Sequence, residues 1–284
     1  MEDILARLRS DTEIRGFSNH TIGQYQRRIG AYLRYIDKPW QESDEQDILD
    51  YIQYLKNDRK LANGTINTYI SAVCFFTEVT CDKAIRRKRI PYLKRPKRLP
   101  EILSRAEVMA LIDVTGNTKH KAWFMLAYSA GLRRSEIATL KINDIDSKSM
   151  RIFVRAGKGD KDRYTLLSKT CLAMLRRYWK GFRPDNPNGY LFPGKTVKGH
   201  INCHTITNAF ACALKTSGIK KVVTVHTLRH CFATHLLENG TSLMDIKELL
   251  GHTSFASTMI YLHLANISDR VVSPLDLPYH EEGR

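Results

Sequence analysis

The sequence predicts a mainly α-helical protein of two domains: an N-terminal helical bundle, then a larger, mainly helical domain carrying a small antiparallel β element. A chain of 284 residues exceeds the length that one hydrophobic core usually fills. Apolar residues recur at steps of three and four through both halves, the period of amphipathic helices, and a single strand-like alternation interrupts the second half. Between the halves lies a basic stretch with three prolines, Lys83 to Pro100, which has too little apolar periodicity to build a core.

Each element follows from local pattern. A short helix is expected over residues 3–14. From Thr21, the set Ile22, Tyr25, Ile29, Tyr32, Leu33 and Ile36 marks a second helix, Ile48, Leu49, Ile52 and Leu55 a third, and Ile66, Tyr69, Ile70, Val73 and Phe76 a fourth. Short connections make these a compact bundle ending near Cys81. Residues 83–101 then read as an extended basic linker, suited to a solvated tether or to tracking DNA phosphates. In the second domain, Ser104 and Glu107 have capping-box spacing and Leu103 and Val108 can form a hydrophobic staple, so a helix starts at about Arg105. Lys121 to Ala130 is apolar on nearly every face, as a central buried helix requires, and Gly131 ends it. Arg151–Arg155 and Arg163–Leu167 are strand-like around a turn at Gly157-Lys158-Gly159-Asp160, giving a β-hairpin. Residues 170–180, 203–216, 227–238 and 242–250 read as helices, the last closed by Gly251.

Charge narrows the function classes. With 45 Lys and Arg against 29 Asp and Glu, the net charge is +16, which favours a polyanionic partner. Residues 1–82 carry −3, residues 83–101 carry +8 and residues 102–284 carry +11, so the positive field belongs to the linker and the second domain. Six cysteines form no C-x-x-C pair, which argues against a zinc site or a disulfide framework and fits a reduced, cytoplasmic protein. The N-terminus lacks signal-peptide order, and the longest nearly apolar stretch, Ala122 to Leu132, is too short to cross a bilayer; no membrane association is expected.

Four local signatures occur in order along the second domain. Ala130-Gly131-Leu132-Arg133-Arg134-Ser135-Glu136 is a glycine turn that sets Arg133 at a helix start, where an arginine can hold phosphate bidentately or simply lie on the surface after a C-cap. Lys158 sits between two glycines on the hairpin tip, placed either to protonate a departing oxygen or to be solvated. His226-Thr227-Leu228-Arg229-His230 brings His226, Arg229 and His230 together within one helical turn, which suits an anionic ligand. The His226/His230 spacing also suits a metal, but neither H-E-x-x-H nor a clear third ligand accompanies it. Finally, Leu250-Gly251-His252 is followed by Tyr261 inside a short helix that Ser254 can cap. Alone, Tyr261 is one of 13 tyrosines and reads equally as a core residue with a satisfied hydroxyl.

Together the four signatures resemble the active site of the tyrosine site-specific recombinases, the phage integrase family, and the resemblance covers nearly the whole chain. It implies a SAM-like N-terminal core-binding bundle over residues 1–82, the linker 83–101, and a catalytic domain of tyrosine-recombinase fold over 102–284 with a C-terminal tail from 265. The activity it implies is cutting and rejoining of DNA strands through a 3′-phosphotyrosyl intermediate, without metal, cofactor or ATP. Carried over by motif, Arg133 and Arg229 bind phosphate, Lys158 is the general acid, His226 supports proton transfer, His252 hydrogen-bonds the scissile phosphate, and Tyr261 is the nucleophile. Glu136 props the site from behind and His230 ends the H-x-L-R-H box. Candidate DNA contacts are Lys83, Arg86, Arg87, Lys88, Arg89, Lys94, Arg95, Lys97, Arg98 and Arg134, the last standing where the family often has a small apolar residue. The implied partners are double-stranded DNA carrying specific sites, further copies of the chain in a tetramer, and a partner recombinase or directionality factor; residues 265–279 either link the protomers or form a frayed terminus. In length the chain is closest to Xer-like recombinases and transposon-borne integrases. A type IB topoisomerase shares the tyrosine chemistry and a DNA-binding regulator could share the fold, but a pure binder needs only the basic surface.

Overall fold

The structure, a computed structural model, describes residues 2–96, 99–155, 162–183, 186–194 and 199–265. The chain divides into two compact units, Met1–Arg98 and Leu99–Arg284.

The first unit is built on α1 (Glu2–Ile14), α2 (Asn19–Ile36), α3 (Glu45–Asn57) and α4 (Asn63–Phe75). Two of its helices, α2 and α3, start where polar side chains satisfy free N–H groups of the first turn. Ser18 accepts from the Thr21 N–H at the head of α2, and Asp44 and Asp47 form a reciprocal box at the head of α3. The apolar stripes meet in one core that includes Leu8, Ile29, Tyr32, Ile48, Leu55, Ile66 and Ile70. α4 runs on into a π-helical turn, Phe76–Thr80.

The basic stretch departs from the expected extended tether, for it lies against this bundle. Ile90 is 2% exposed within the first core, and Ile85 and Leu93 pack on the same core. Asn67 brackets Leu93, donating to its carbonyl at 2.9 Å and accepting from its N–H at 2.8 Å, and Asn63 donates to the Lys94 carbonyl at 2.8 Å. The apolar residues that dock this segment are irregularly spaced, so no local period betrays them.

The second unit contains α5 (Arg105–Asp113), α6 (Thr118–Ser129), α7 (Arg134–Thr139), β1 (Ile145–Asp146), β2 (Arg151–Val154), β3 (Arg163–Leu166), α8 (Lys169–Phe182), α9 (Cys203–Ser217), α10 (Val225–Glu238), α11 (Leu243–Leu250) and α12 (Ala256–Leu264). The expected capping box opens α5: the Ser104 hydroxyl accepts from the Glu107 N–H at 3.2 Å and Glu107 accepts from the Ser104 N–H at 2.7 Å. Asn117 caps α6, so that helix begins three residues before the expected Lys121. The hairpin gains a third strand: the antiparallel sheet has order β1-β2-β3, with Ile145 opposite Ile152 and Val154 opposite Arg163. Ser254 does not cap α12; its N-cap is Phe255, with no side-chain cap.

The main core of this unit is centred on α6, whose Trp123, Phe124, Leu126 and Ala127 are buried, and takes in residues of α5, α8, α9 and α10. A smaller cluster of Phe232, Ala233, Ile246, Leu250 and Tyr261 joins α10, α11 and α12. The functional side chains sit around this second cluster. Among the described residues, no helix is long and apolar enough to cross a membrane.

Candidate active site

Two left-handed glycines set the frame. Gly131 (φ +62) follows α6, and a Cβ there would come within 2.5 Å of the Phe232 ring and 2.9 Å of Leu250, so only glycine fits. Gly251 (φ +62) ends α11, and a Cβ there would stand 2.7 Å from Cδ of Arg163. The first turn delivers Arg133 to the head of α7, the second delivers His252.

Arg229, on α10, is 1% exposed and links these turns: it donates to the carbonyls of Gly131 and Leu250. Two of its five N–H donors are thus committed to the backbone. Burial, then the neighbouring Arg133 charge, lowers its pKa to about 9, so it remains a cation at neutral pH.

Three arginines converge on one carboxylate. Glu136 accepts from the Arg133 N–H at 2.8 Å and from Arg133 Nη1 at 2.7 Å. It also receives Arg163 in a two-pronged pair at 2.9 and 2.8 Å, and Arg229 Nη1 lies 3.8 Å away. Burial alone would raise the Glu136 pKa, but the hydrogen bonds and charge of Arg163 and then Arg133 overcome it and hold it at about 2. The carboxylate neutralises one of three positive charges and leaves the pocket strongly cationic.

Above this base opens a cleft of about 300 Å³ lined by Arg133, His226, Arg229, Gly251, His252, Thr253 and Ser257. Two larger hollows among the described residues set acidic side chains beside their basic ones, Asp245 and Glu248 in one and Asp44 and Glu45 in the other. Burial first, then neighbouring cationic groups including Arg229 and Arg133, lowers the pKa of both His226 and His252 to about 4. His226 is an exposed residue, so water screens part of that effect there. Burial, followed by Arg229, also lowers the His230 pKa. All three imidazoles are therefore neutral near pH 7, able to donate one hydrogen bond and accept another.

Tyr261, on α12, is 1% exposed and is not part of the cleft lining. Its hydroxyl lies 3.2 Å from His230 Nδ1, and its ring stacks at 6.2 Å on His252, whose Nδ1 pairs with Thr258 at 3.0 Å. Burial raises the phenol pKa, against the lowering pull of Arg229 and Arg133.

The structure thus gathers Arg133, Glu136, His226, Arg229, His230, His252 and Tyr261 around one pocket. Lys158 and the linker residues Lys97 and Arg98 lie outside the described residues. Among the candidate DNA contacts, Lys83 Nζ donates to the carbonyls of Trp40, Gln41 and Ser43, Arg87 pairs with Glu78, and Arg89 with Glu45 at 3.2 Å. Arg86, Lys88, Lys94 and Arg95 are exposed. Arg134 is exposed and donates to Thr207 on α9 at 3.0 Å. Sequence reasoning passed over Arg163, which reads as an ordinary strand residue and whose partners lie 27 and 86 positions away.

Comparison with known proteins decides the family. Residues 101–267 match the model of the phage integrase family, and residues 4–87 match that of the phage integrase N-terminal SAM-like domain. The chain belongs to the phage integrase family. This recombinase is 40% identical over 266 residues to a Sinorhizobium fredii protein provisionally described as an integrase/recombinase, across 93% of this chain and 85% of that protein. It is 34% identical to the tyrosine recombinase XerD of Oceanobacillus iheyensis, across 93% of each chain. Among solved structures, XerA recombinase matches 95% of this chain and 96% of its own, with 32% identity and a TM-score of 0.56. The XerH recombinase bound to its difH substrate matches 94% and 83% with a TM-score of 0.72; at 19% identity that likeness shows the fold alone. The protein is a tyrosine site-specific recombinase, an enzyme that cleaves and rejoins DNA.

Proposed function

We propose that the cleft between Arg133 and His252 holds the scissile phosphate and that Tyr261 attacks it to form a 3′-phosphotyrosyl bond. The observation that carries this reading is the convergence of Arg133, His226, Arg229 and His252 on one cleft, with the buried Tyr261 hydroxyl held by His230 beside it. Phosphodiester cleavage builds negative charge on the non-bridging oxygens, and positive or N–H donors fixed before the reaction stabilise it. Two guanidinium groups and two imidazoles supply such donors, so the chemistry calls for no metal.

The phenol must lose its proton as it attacks. His230, already within hydrogen-bond reach and neutral, is the acceptor in this scheme. The hydroxyl must also leave its buried position and enter the cleft. The O–P bond to Tyr261 forms as the bond to the 5′ oxygen breaks, and Lys158 protonates that oxygen. A 5′ hydroxyl from a partner strand then reverses the step, so the bond energy is kept and no ATP is consumed. Residues 1–82 would clamp the far face of the duplex, residues 83–101 would join the two clamps, and residues 102–284 would carry the chemistry. Relatives and fold neighbours support paired specific DNA sites as substrate. A tetramer of this chain, joined through residues 265–279 and assisted by a partner recombinase or directionality factor in the cytoplasm, belongs to the same reading.

A nicked duplex carrying the site, incubated in EDTA and run on a denaturing gel, tests it. A covalent protein–DNA adduct that disappears in Tyr261→Phe is expected. An adduct that survives the substitution, or that needs a divalent metal, overturns the proposal.

A further inference from the structure

Arg163 is absent from the motif pattern and does not line the phosphate cleft, yet it joins the parts that do. Its side chain is 8% exposed. Nη1 and Nη2 grip both oxygens of Glu136 at 2.9 and 2.8 Å, the planar fork that carboxylate geometry favours. Nε donates to the Leu249 carbonyl at 2.9 Å, one of the unpaired acceptors at the end of α11, while Arg229 takes the next carbonyl, Leu250. Its aliphatic stem runs under Gly251, where a Cβ would meet Cδ at 2.7 Å. One guanidinium therefore ties the head of α7, which carries Arg133, to the end of α11, which carries His252.

We infer that Arg163 is a positioning residue for DNA cleavage, holding Arg133 through Glu136 and His252 through the α11 terminus at a fixed spacing across the phosphate. The inference rests on the reading that Arg133 and His252 contact the scissile phosphate. It also explains the charge balance beneath the cleft, where Glu136 faces three guanidinium groups. Without Arg163 the carboxylate would face two, and the Leu249 carbonyl would lose its partner. A lysine preserves the charge but offers point donors in place of a fork, so it restores the tether only in part.

The experiment is single-turnover cleavage of the nicked duplex at saturating protein by Arg163→Met and Arg163→Lys. Two substrates are used, one with the ordinary scissile phosphate and one with a neutral methylphosphonate in its place. Slight misplacement of a phosphate-binding group costs about 100-fold in rate. Arg163→Met is expected to lose about that much on the ordinary substrate with its DNA affinity little changed, and Arg163→Lys to recover only part. On the methylphosphonate, where one negative charge is already gone, the loss should shrink to about 10-fold or less. Equal losses on both substrates, or losses that track the fraction of folded protein, would assign Arg163 to stability alone and overturn the inference. Wild-type rates in both variants would do the same. If Arg163→Met does not fold, Arg163→Lys carries the test, with slower cleavage at unchanged affinity supporting it and an unchanged rate overturning it. A Tyr261-dependent adduct formed at the wild-type rate by these variants refutes this inference alone; an adduct that persists in Tyr261→Phe refutes the reading beneath it.

Discussion

Replacing Glu136 with Gln keeps the shape of the side chain and removes the negative charge that faces Arg133, Arg163 and Arg229 beneath the cleft. The carboxylate is 8% exposed and accepts four hydrogen bonds, two from Arg133 and two from Arg163. Its pKa of about 2, against an ordinary 4.5, states how much more strongly the fold holds the charged form than the neutral one. At about 1.4 kcal/mol per pH unit, the difference is about 3 kcal/mol. Loss of one partner from a buried ion pair costs a similar amount. For a unit of this size the melting temperature should fall by about 6–12 °C. The sign with pH follows from the same lowering: the stabilisation is complete above pH 4.5 and is lost as pH falls toward 2, because the unfolded chain takes up the proton first. Thermal and urea unfolding of wild type and Glu136→Gln from pH 7 down to pH 3 measures both effects. A loss below about 1 kcal/mol at pH 7, or an acid dependence unchanged by the substitution, would refute this account of the arginine cluster.

Gly131→Ala should destabilise the protein by about 3 kcal/mol in urea unfolding, since its positive φ and the 2.5 Å approach of Phe232 both oppose a Cβ; a change under about 1 kcal/mol would show that the turn yields. Asn67→Ala removes both bonds to Leu93 and should speed tryptic cleavage within Lys83–Lys94, with about 1–2 kcal/mol lost from the docked segment; an unchanged digestion pattern would contradict the docking. The folded protein holds His226 and His252 with pKa values near 4, so cleavage should be flat around pH 7 and fall as pH drops toward 4. Because the unfolded chain binds these protons first, stability should fall over the same interval, and a cleavage rate that rises on acidification would refute neutral imidazoles at the site.

The helices are legible in the sequence because burial on one face imposes a period, and the motif spacings single out Arg133, His226, Arg229, His252 and Tyr261. What it hid has physical causes. β1 is two residues long and cannot display alternation. The basic segment looked free because its cations are matched by distant groups, Glu78, Glu45 and three backbone carbonyls, and because Ile85, Ile90 and Leu93 follow no period. Arg163 resembled any strand arginine, since its meaning comes from Glu136 and Leu249, far away in sequence. Tyr261 reads from sequence as a core residue or a nucleophile, and the structure joins the two: the side chain is buried and its hydroxyl satisfied, but by His230, whose ring meets that of the cleft-lining His226.

Direct identification of the attacking atom is the most decisive measurement. The covalent adduct formed on a nicked duplex, digested with nuclease and trypsin, can be sequenced by mass spectrometry. The tryptic segment Glu248–Arg270 contains a single tyrosine, Tyr261. The account predicts a 3′-nucleotide joined through phosphate to that residue, with a free 5′ hydroxyl on the released strand. A nucleotide attached to any other residue, or through its 5′ phosphate, would contradict it.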